Sequence, residues 1–183
     1  MLLPGDYLVE VKPDNTSTVA ISATATLTSG GSYALAAIGD GSNQPLKLAV
    51  LENNGLTNPT KARVRVSHFA PFASGTTATA VDICIDATKT VLIPNLVFGA
   101  TTPYLEIDPG IYDLSVAVPG TSCAKVVLDL PPLQFNAAGI YEIYAIGKGN
   151  TVYPLAVDSF GALDFPATVT VGHFAPFGST VAG

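Results

Sequence analysis

Charged side chains are scarce in this sequence, and their scarcity excludes several classes of function. Only 12% of the 183 residues are charged, and 8 Lys and Arg against 14 Asp and Glu give a formal net charge of −6. So few cations leave no electrostatic footprint for nucleic acid and no basic cluster for an anionic lipid surface. Two His, two Cys and no Trp offer little for nucleophilic or metal chemistry. We therefore expect a protein that is not an enzyme and holds no cofactor or metal.

The sequence also lacks a leader and a membrane span. Its first six residues, MLLPGD, contain no basic segment followed by an apolar one, so they do not form a signal peptide. The longest uncharged run, 15–39, is long enough for a span, but its nine Ser and Thr residues and Gly30-Gly31 favour two strands and a turn. The composition is rich in Thr, Ser, Ala, Val and Gly. We expect no membrane insertion, an extracellular or cell-surface location, and a signal sequence that is not part of this chain.

The two cysteines, Cys84 and Cys123, are 39 positions apart, which excludes a CxxC redox or zinc motif. Each lies on the polar side of a predicted strand, as Cys84 does between Ile83 and Ile85. Two cysteines displaced from the core in the same way can meet, and an oxidising compartment preserves such a bond. We expect a Cys84–Cys123 disulfide, with two unpaired thiols as the alternative.

Internal repetition is the strongest signal in the sequence. The pentapeptide HFAPF at 68–72 recurs unchanged at 173–177, which is 105 positions later. The alternating segment before it, ARVRV at 62–66, has its counterpart in ATVTV at 167–171. Further correspondences at offsets of 105 to 108 link 3–7 with 108–112, 33–39 with 141–147, and 48–50 with 155–157.

These repeats predict an interrupted tandem array. Residues 61–164 form one complete copy, 1–56 correspond to the rear half of a first copy, and 166–183 supply the opening strand of a further copy. Neither partial piece has a counterpart of residues 79–105, so the two pieces together do not make a complete copy. We therefore expect something else to cover them.

All the predicted elements are strands. Short segments alternate apolar and polar residues between turns such as Pro109-Gly110, and no segment shows a sustained helical period. Strands of this spacing are typical of a sandwich, so we predict an all-β fold: an antiparallel, Greek-key, immunoglobulin-like β-sandwich in tandem copies. The predicted strands span 7–11, 19–28, 33–39, 46–51, 62–68, 81–85, 104–107, 112–116, 124–130, 141–146 and 152–157.

The complete copy carries motifs that resemble a known family, the bacterial and archaeal domain of unknown function 4397. The resemblance implies an exported, often tandem, cell-surface β-domain. Its motifs are mainly turn and packing residues and imply no catalytic role. Phe72 and the Thr-rich insert at 74–79 depart from the acidic stretch that is common in the family, which disfavours a cation site there. The matching motifs are RVRVSH at 63–68 with Pro71, AVDICID at 80–86, NLVFG at 95–99 followed by Tyr104-Leu105, PGIYDL at 109–114, and YEIYAIG at 141–147.

Both histidines belong to the repeated pentapeptide. His68 shares a strand face with Val64 and Val66, and His173 has the same position in its own copy. A histidine at the end of an inward-facing row is typical of a hydrogen-bonded core residue, and a metal site would need further ligands nearby. We therefore predict a packing role for both.

The other residues of the motif are predicted to pack at the end of each copy. Phe69, Pro71 and Phe72 would close the sandwich or form a subunit contact. Because Phe69 lies on the face opposite His68, we also expect an outward-facing aromatic in each copy. A carbohydrate platform is the alternative use of such aromatics, which leaves a glycan ligand open.

Asp82 and Asp86 share one strand face on either side of Cys84. Paired carboxylates can serve acid–base chemistry or hold calcium. Four positions along a strand correspond to about 13 Å, which is too far for both to act on one bond. We therefore predict a solvated strand face.

The combined features predict a structural function. We expect an extracellular module that is a subunit of a surface array or filament, a homo-oligomer or polymer assembled by β-strand addition through its terminal strands. Pairing of the tail within its own chain and a fragment of a longer array are the alternatives for the ends. A cell-surface adhesive or carbohydrate-binding module is the competing class. The predicted assembly strand comprises Val169, Val171, His173, Phe174, Pro176 and Phe177.

Overall fold

The computed structural model is all-β, as predicted. It describes residues 2–53, 56–148, 151–159 and 169–173, the last two ranges and Lys148 by their backbone alone. These residues form fifteen strands and one short 3-10 helix, Thr76–Thr79. The strands are β1 (Gly5–Val11), β2 (Ile21–Leu27), β3 (Ser32–Ile38), β4 (Lys47–Asn53), β5 (Ala62–His68), β6 (Val81–Ile85), β7 (Thr90–Leu96), β8 (Leu105–Ile107), β9 (Gly110–Tyr112), β10 (Leu114–Ala117), β11 (Val126–Asp129), β12 (Leu133–Phe135), β13 (Ile140–Lys148), β14 (Thr151–Ser159) and β15 (Val169–His173).

The chain divides into two compact units. Unit 1 comprises Met1–Leu56 together with Ala162–Gly183, and unit 2 comprises Thr57–Gly161. Unit 1 therefore takes its strands from both ends of the sequence, whereas unit 2 is continuous.

Unit 2 contains two four-stranded sheets. One has the order β11-β10-β6-β7 and the other the order β14-β13-β5-β8, while β12 and β9 form a separate two-stranded sheet. The central pair of the second sheet, β5 and β13, runs parallel, and its neighbours β14 and β8 run antiparallel. The second sheet is therefore mixed in direction, whereas the first is antiparallel throughout.

The core of unit 2 is built from both four-stranded sheets. Val64 and Val66 of β5 lie in the same apolar cluster as Ile83 of β6 and Val116 of β10. Each such side chain contributes about 1.5–3 kcal/mol when it is removed from water, so this cluster is the main source of stability of the unit. Its buried members are Ala62, Val64, Val66, Val81, Ile83, Ile93, Leu96, Val116, Phe135 and Ile143.

Among the residues that the structure describes, unit 1 has fewer strands than unit 2. Its sheets have the orders β1-β2 and β15-β3-β4. Ala25 and Leu27 of β2 pack in one buried cluster with Tyr33 and Leu35 of β3. Tyr7, Val9 and Leu48 pack against that cluster while remaining partly exposed.

The structure corrects several sequence predictions about the strands. The prediction of purely antiparallel sheets is wrong, because β5 pairs in parallel with β13 and β15 pairs in parallel with β3. The predicted strand 112–116 is interrupted at Asp113, which separates β9 from β10. Strands β7 and β12 were not predicted: β7 contains Pro94, which disfavours a central strand, and β12 has only three residues and follows two prolines.

Candidate functional site: the edge of strand β3

The tail strand β15 lies beside β3 and runs parallel to it. Its register places Val169 opposite Tyr33, Val171 opposite Leu35 and His173 opposite Ala37. The predicted assembly strand thus forms a strand, and its partner in this structure is the same chain. Phe174, Pro176 and Phe177, which were predicted to belong to this strand, lie outside the described residues.

Unit 2 contains an equivalent pairing. There β5 runs parallel to β13, with Val64 opposite Tyr141 and Val66 opposite Ile143. The repeat offsets of 105 and 108 convert the first of these pairs into Val169 and Tyr33, which are also opposite each other. The tail therefore occupies in unit 1 the position that the opening strand occupies in unit 2.

Strand β3 is the central strand of its sheet, with β4 on one side and β15 on the other. Its residues 35–38 are apolar and buried. The exposed fraction is 5% for Leu35, 2% for Ala36, 5% for Ala37 and 0% for Ile38. Removal of β15 would leave one side of this apolar strand with unpaired amide and carbonyl groups. Such an edge recruits another strand, so this side of β3 is a natural acceptor.

Strand β3 and its counterpart β13 each have a tyrosine that binds the backbone of the segment before the strand. The phenolic oxygen of Tyr33 accepts a hydrogen bond from the amide of Thr28 at 3.0 Å. At the equivalent place the Tyr141 oxygen accepts one from the amide of Asn136 at 2.8 Å. Sequence reasoning aligned the two tyrosines but missed this role, because the donors are backbone amides, which almost any residue supplies.

The imidazole of His68 is fully enclosed at the end of β5. Its Nε2 lies 2.9 Å from the carbonyl oxygen of Thr79, and its Nδ1 accepts a hydrogen bond from the amide of Ala70 at 3.3 Å. An Nδ1 that accepts requires an Nε2 that donates, so the ring is neutral. Burial lowers the pKa of His68, although the Thr79 hydrogen bond opposes this effect. The predicted packing role of His68 is confirmed.

The aromatics of the pentapeptide stay inside unit 2. Phe69 is 0% exposed and stacks on Tyr144 with ring centroids 5.6 Å apart, so the expectation that it faces outward is wrong. The reason is that the chain leaves the strand after His68, and strand parity no longer decides the side-chain direction. Phe72 is half-buried and stacks on His68 at 5.6 Å, and Pro71 is fully buried. In this copy Phe69 and Pro71 are therefore buried, and Phe72 remains partly exposed.

The structure joins Cys84 and Cys123 by a disulfide. Both are buried, at 0% and 1% exposure, and they form a small cluster with Ala117 and the partly buried Val91. The bond ties β6 to the loop between β10 and β11. The predicted pairing is therefore present, but its surroundings are more enclosed than an outward strand face implies.

Asp82 is not on a solvated face as predicted. It is 3% exposed, and its two carboxylate oxygens accept hydrogen bonds from the amides of Asn95 at 2.8 Å and Gly120 at 3.3 Å. The carboxylate satisfies one backbone donor of the neighbouring strand β7 and one of the turn that follows β10. This is a structural role that a sequence read by strand parity does not reveal.

Asp86 lies apart from Asp82 in a different environment. Hydrogen bonds from Ser115 and Lys89 lower the pKa of its carboxyl group. Its carboxylate oxygen lies within 4.8 Å of those of Asp113 and Asp129. Sequence reasoning missed this trio because its members come from three separate segments, and we assign no ligand to it.

A buried ion pair joins β5 to β13. Arg65 contacts both carboxylate oxygens of Glu142, at 2.7 and 2.8 Å, and the Tyr104 hydroxyl donates to the same carboxylate. The guanidinium groups of Arg63 and Arg65 both lie 4.6 Å from the centre of the Tyr104 ring. Burial raises the pKa of Tyr104, and burial followed by the charge of Glu142 raises that of Tyr144 to about 12. The cluster links the parallel pair of unit 2 on the face opposite Val64 and Val66.

Comparison with known protein families supports the tandem repeat found in the sequence. A family profile described as Domain of unknown function (DUF4397) matches residues 1–75 and 73–182. The chain belongs to the DUF4397 family. The resemblance drawn from the motifs is confirmed, and the two matches show the tandem arrangement. No curated protein matches the chain.

Among solved structures, the chain is similar to the C-terminal domain of AlgF from P. aeruginosa. The identity is 22%, the TM-score is 0.40, and the match covers 54% of this chain and 97% of that domain. Within the described residues, no helix is long and apolar enough to cross a membrane.

Proposed function

We propose that this protein is an extracellular structural module whose subunits link by β-strand addition. The tail strand β15 of one subunit would enter the β3 edge of the next and take the place that β15 takes in this structure. We further infer that unit 2 is a β-sandwich of Greek-key character, in which its two four-stranded sheets enclose the common core. The disulfide and the family favour export to the cell surface or beyond it.

The observation that carries this proposal is the shared register of the two parallel pairs. Val169 meets Tyr33 in the way that Val64 meets Tyr141, although the tail follows β3 in sequence by more than a hundred residues. A strand that closes a copy from so far along the chain makes the same backbone bonds whether it comes from its own chain or from another. Exchange of an identical element between protomers is a common route to assembly, and a head-to-tail contact that does not close propagates into a fibre.

A mixed-cysteine experiment tests the proposal. Thr170 and Ala34 are directly opposite each other, and the two native cysteines are already bonded to each other. One sample of the full chain carries Ala34→Cys and a second carries Thr170→Cys. After they are mixed, unfolded, refolded together and oxidised, we expect a disulfide-linked dimer whose bond joins residues 34 and 170, identified by mass spectrometry of the linked peptides.

The control replaces Thr170→Cys with Val19→Cys, which is exposed and has no place beside β3. This mixture should give no such link. In addition, one chain with both Ala34→Cys and Thr170→Cys should give a ladder of linked subunits on a non-reducing gel. If the double variant gives only internally linked monomers and the mixture gives no 34–170 link, then the tail closes its own chain and the assembly proposal fails.

A further inference from the structure

The turn between β1 and β2 contains a motif that the proposed function does not use. It reads Asn15-Thr16-Ser17, and it is the one Asn-X-Ser/Thr sequence of the chain in which X is not proline. This pattern is the acceptor motif for N-linked glycans, and it lies in surface loops of secreted proteins. Asn58-Pro59-Thr60 has the same outer residues, but the proline between them blocks the motif.

The structure leaves the defining groups of this motif accessible. Every residue of the turn, 12–19, is exposed. The Nδ2 of Asn15 donates to the neighbouring Asp14 at 2.9 Å on the protein surface. The Thr16 hydroxyl donates to a carbonyl of the turn at 3.1 Å, whereas the Ser17 hydroxyl makes no hydrogen bond to any described residue. The fold therefore does not enclose the amide nitrogen or the hydroxyl two positions after it.

Unit 2 contains the same turn, with β6 beside β10. The offset of 105 converts Asn15 into Gly120 and Thr16 into Thr121. The first pair has left-handed φ angles of 58° and 75°, and in each copy the threonine amide and hydroxyl donate to the carbonyl three positions earlier. Gly120 is exposed even though its amide donates to Asp82 of β6. A strand beside β1 would therefore leave position 15 at the surface.

The conformation of this turn does not require an asparagine. Gly adopts a left-handed φ most readily, and Asn is one of the few other residues that do so. Unit 2 uses Gly120 and follows it with the same Thr-Ser pair. The side chain of Asn15 is thus the difference that completes the acceptor motif in unit 1. Glycine at position 15 separates its two roles, because it suits the turn and removes the acceptor nitrogen.

We propose that Asn15 is an acceptor site for an N-linked glycan. The donor is a lipid-linked oligosaccharide whose anomeric carbon is bonded to a phosphate oxygen. The Nδ2 of Asn15 forms a bond to that carbon and loses one proton, while the carbon–oxygen bond breaks and its electron pair leaves with the lipid phosphate. The proposal rests on the extracellular location proposed above and not on strand addition, so the 34–170 cross-link has no bearing on it.

The test uses the full chain behind an added signal peptide, secreted by cells that attach glycans to Asn-X-Ser/Thr. The intact mass should exceed that of the same chain made without this pathway by one glycan, and electron-transfer fragmentation should place the added mass on Asn15. Asn15→Gly and Ser17→Ala should each remove the added mass, whereas Ser17→Thr keeps the hydroxyl and should retain it. Because the signal peptide supplies export, the result does not depend on the proposed location.

Gly120→Asn is the matched control for the turn. It creates the same motif in unit 2, where a Cβ at position 120 has no atom within 4 Å, so this variant should carry two glycans. The proposal is overturned if the natural chain is secreted without a glycan, if the added mass lies on a residue other than Asn15, or if Asn15→Gly retains it. Modification at position 120 with Asn15 unmodified would overturn it most directly, because the cells would then have accepted the turn and passed over Asn15.

Discussion

At the scale of single residues, His68 sets a dependence of stability on pH. Its folded-state pKa is lowered by burial, while the unfolded chain binds a proton near pH 6.5. As pH falls through about 6.5, the unfolded state gains a proton that the folded state does not take up, so the free energy of unfolding decreases until the folded-state pKa is reached. We expect urea unfolding at pH 8 and pH 5 to show this loss.

A variant of His68 tests this assignment. His68→Gln should remove most of the change between pH 8 and pH 5, although its stability at pH 8 will be lower because Thr79 and Ala70 lose well-placed partners. An equal pH response in the natural chain and in His68→Gln would contradict the assignment.

The disulfide is expected to stabilise unit 2 through the loop that it closes. The two cysteines are 39 residues apart, and in the chain-entropy treatment a loop of this length corresponds to about 4 kcal/mol. Replacing both cysteines with alanine should lower the free energy of unfolding by about that amount. Hydrogen exchange of the β6 amides in increasing urea measures this change. Reduction of the natural chain should have the same effect, and equal stability with and without the bond would refute the prediction.

Gly139 is required by the ring of Tyr141. A Cβ at residue 139 would lie 2.5 Å from the ring, and the ring cannot move freely because it packs edge-on against Phe135 at 4.9 Å and its oxygen accepts from Asn136. Gly139→Ala should therefore destabilise unit 2 by about 1–3 kcal/mol. In a Tyr141→Leu background the same substitution should cost much less, and a double-mutant cycle in urea measures the difference. Additive effects would show that the ring is not the cause.

At the scale of strands, the sequence predicts where a strand lies in the chain better than it predicts which strand pairs with it. The bounds of β5 follow directly from its alternation and from the motif that ends it. The burial of Asp82 could not be predicted in this way, because strand parity describes one sheet face and does not say which backbone amides of a neighbouring strand or turn reach that face. The direction of the β5–β13 pair was also missed, since strands far apart in sequence can pair in either direction and their own residues do not record which.

The candidate sites show the same limit. Repetition identified the tail as a strand equivalent to β5, and the structure adds that it lies parallel to β3 in the matching register. The Arg65–Glu142 pair joins residues 77 positions apart, and no sequence motif predicts it.

At the scale of the whole molecule, each unit has its own core, so damage to the tail should affect one unit alone. The buried cluster of unit 1 is formed by β2 and β3, and that of unit 2 by residues between Ala62 and Ile143. The double variant Thr170→Pro, Val171→Pro removes two neighbouring amide groups of β15. Because neighbouring amides of a strand point to opposite sides, one of the two faces β3. We expect it to release β15 in every subunit.

Hydrogen exchange measured by mass spectrometry separates the two units in that variant. Peptides from β3 should lose protection by about tenfold or more, because an apolar strand without its neighbour opens locally, while peptides from β5 should exchange as in the natural chain. The matched control, Thr170→Ala with Val171→Ala, keeps both amides and should preserve the protection of β3. Unchanged β3 exchange in the proline variant would show that the tail does not complete unit 1. A parallel loss in β3 and β5 would instead show that the two cores unfold as one.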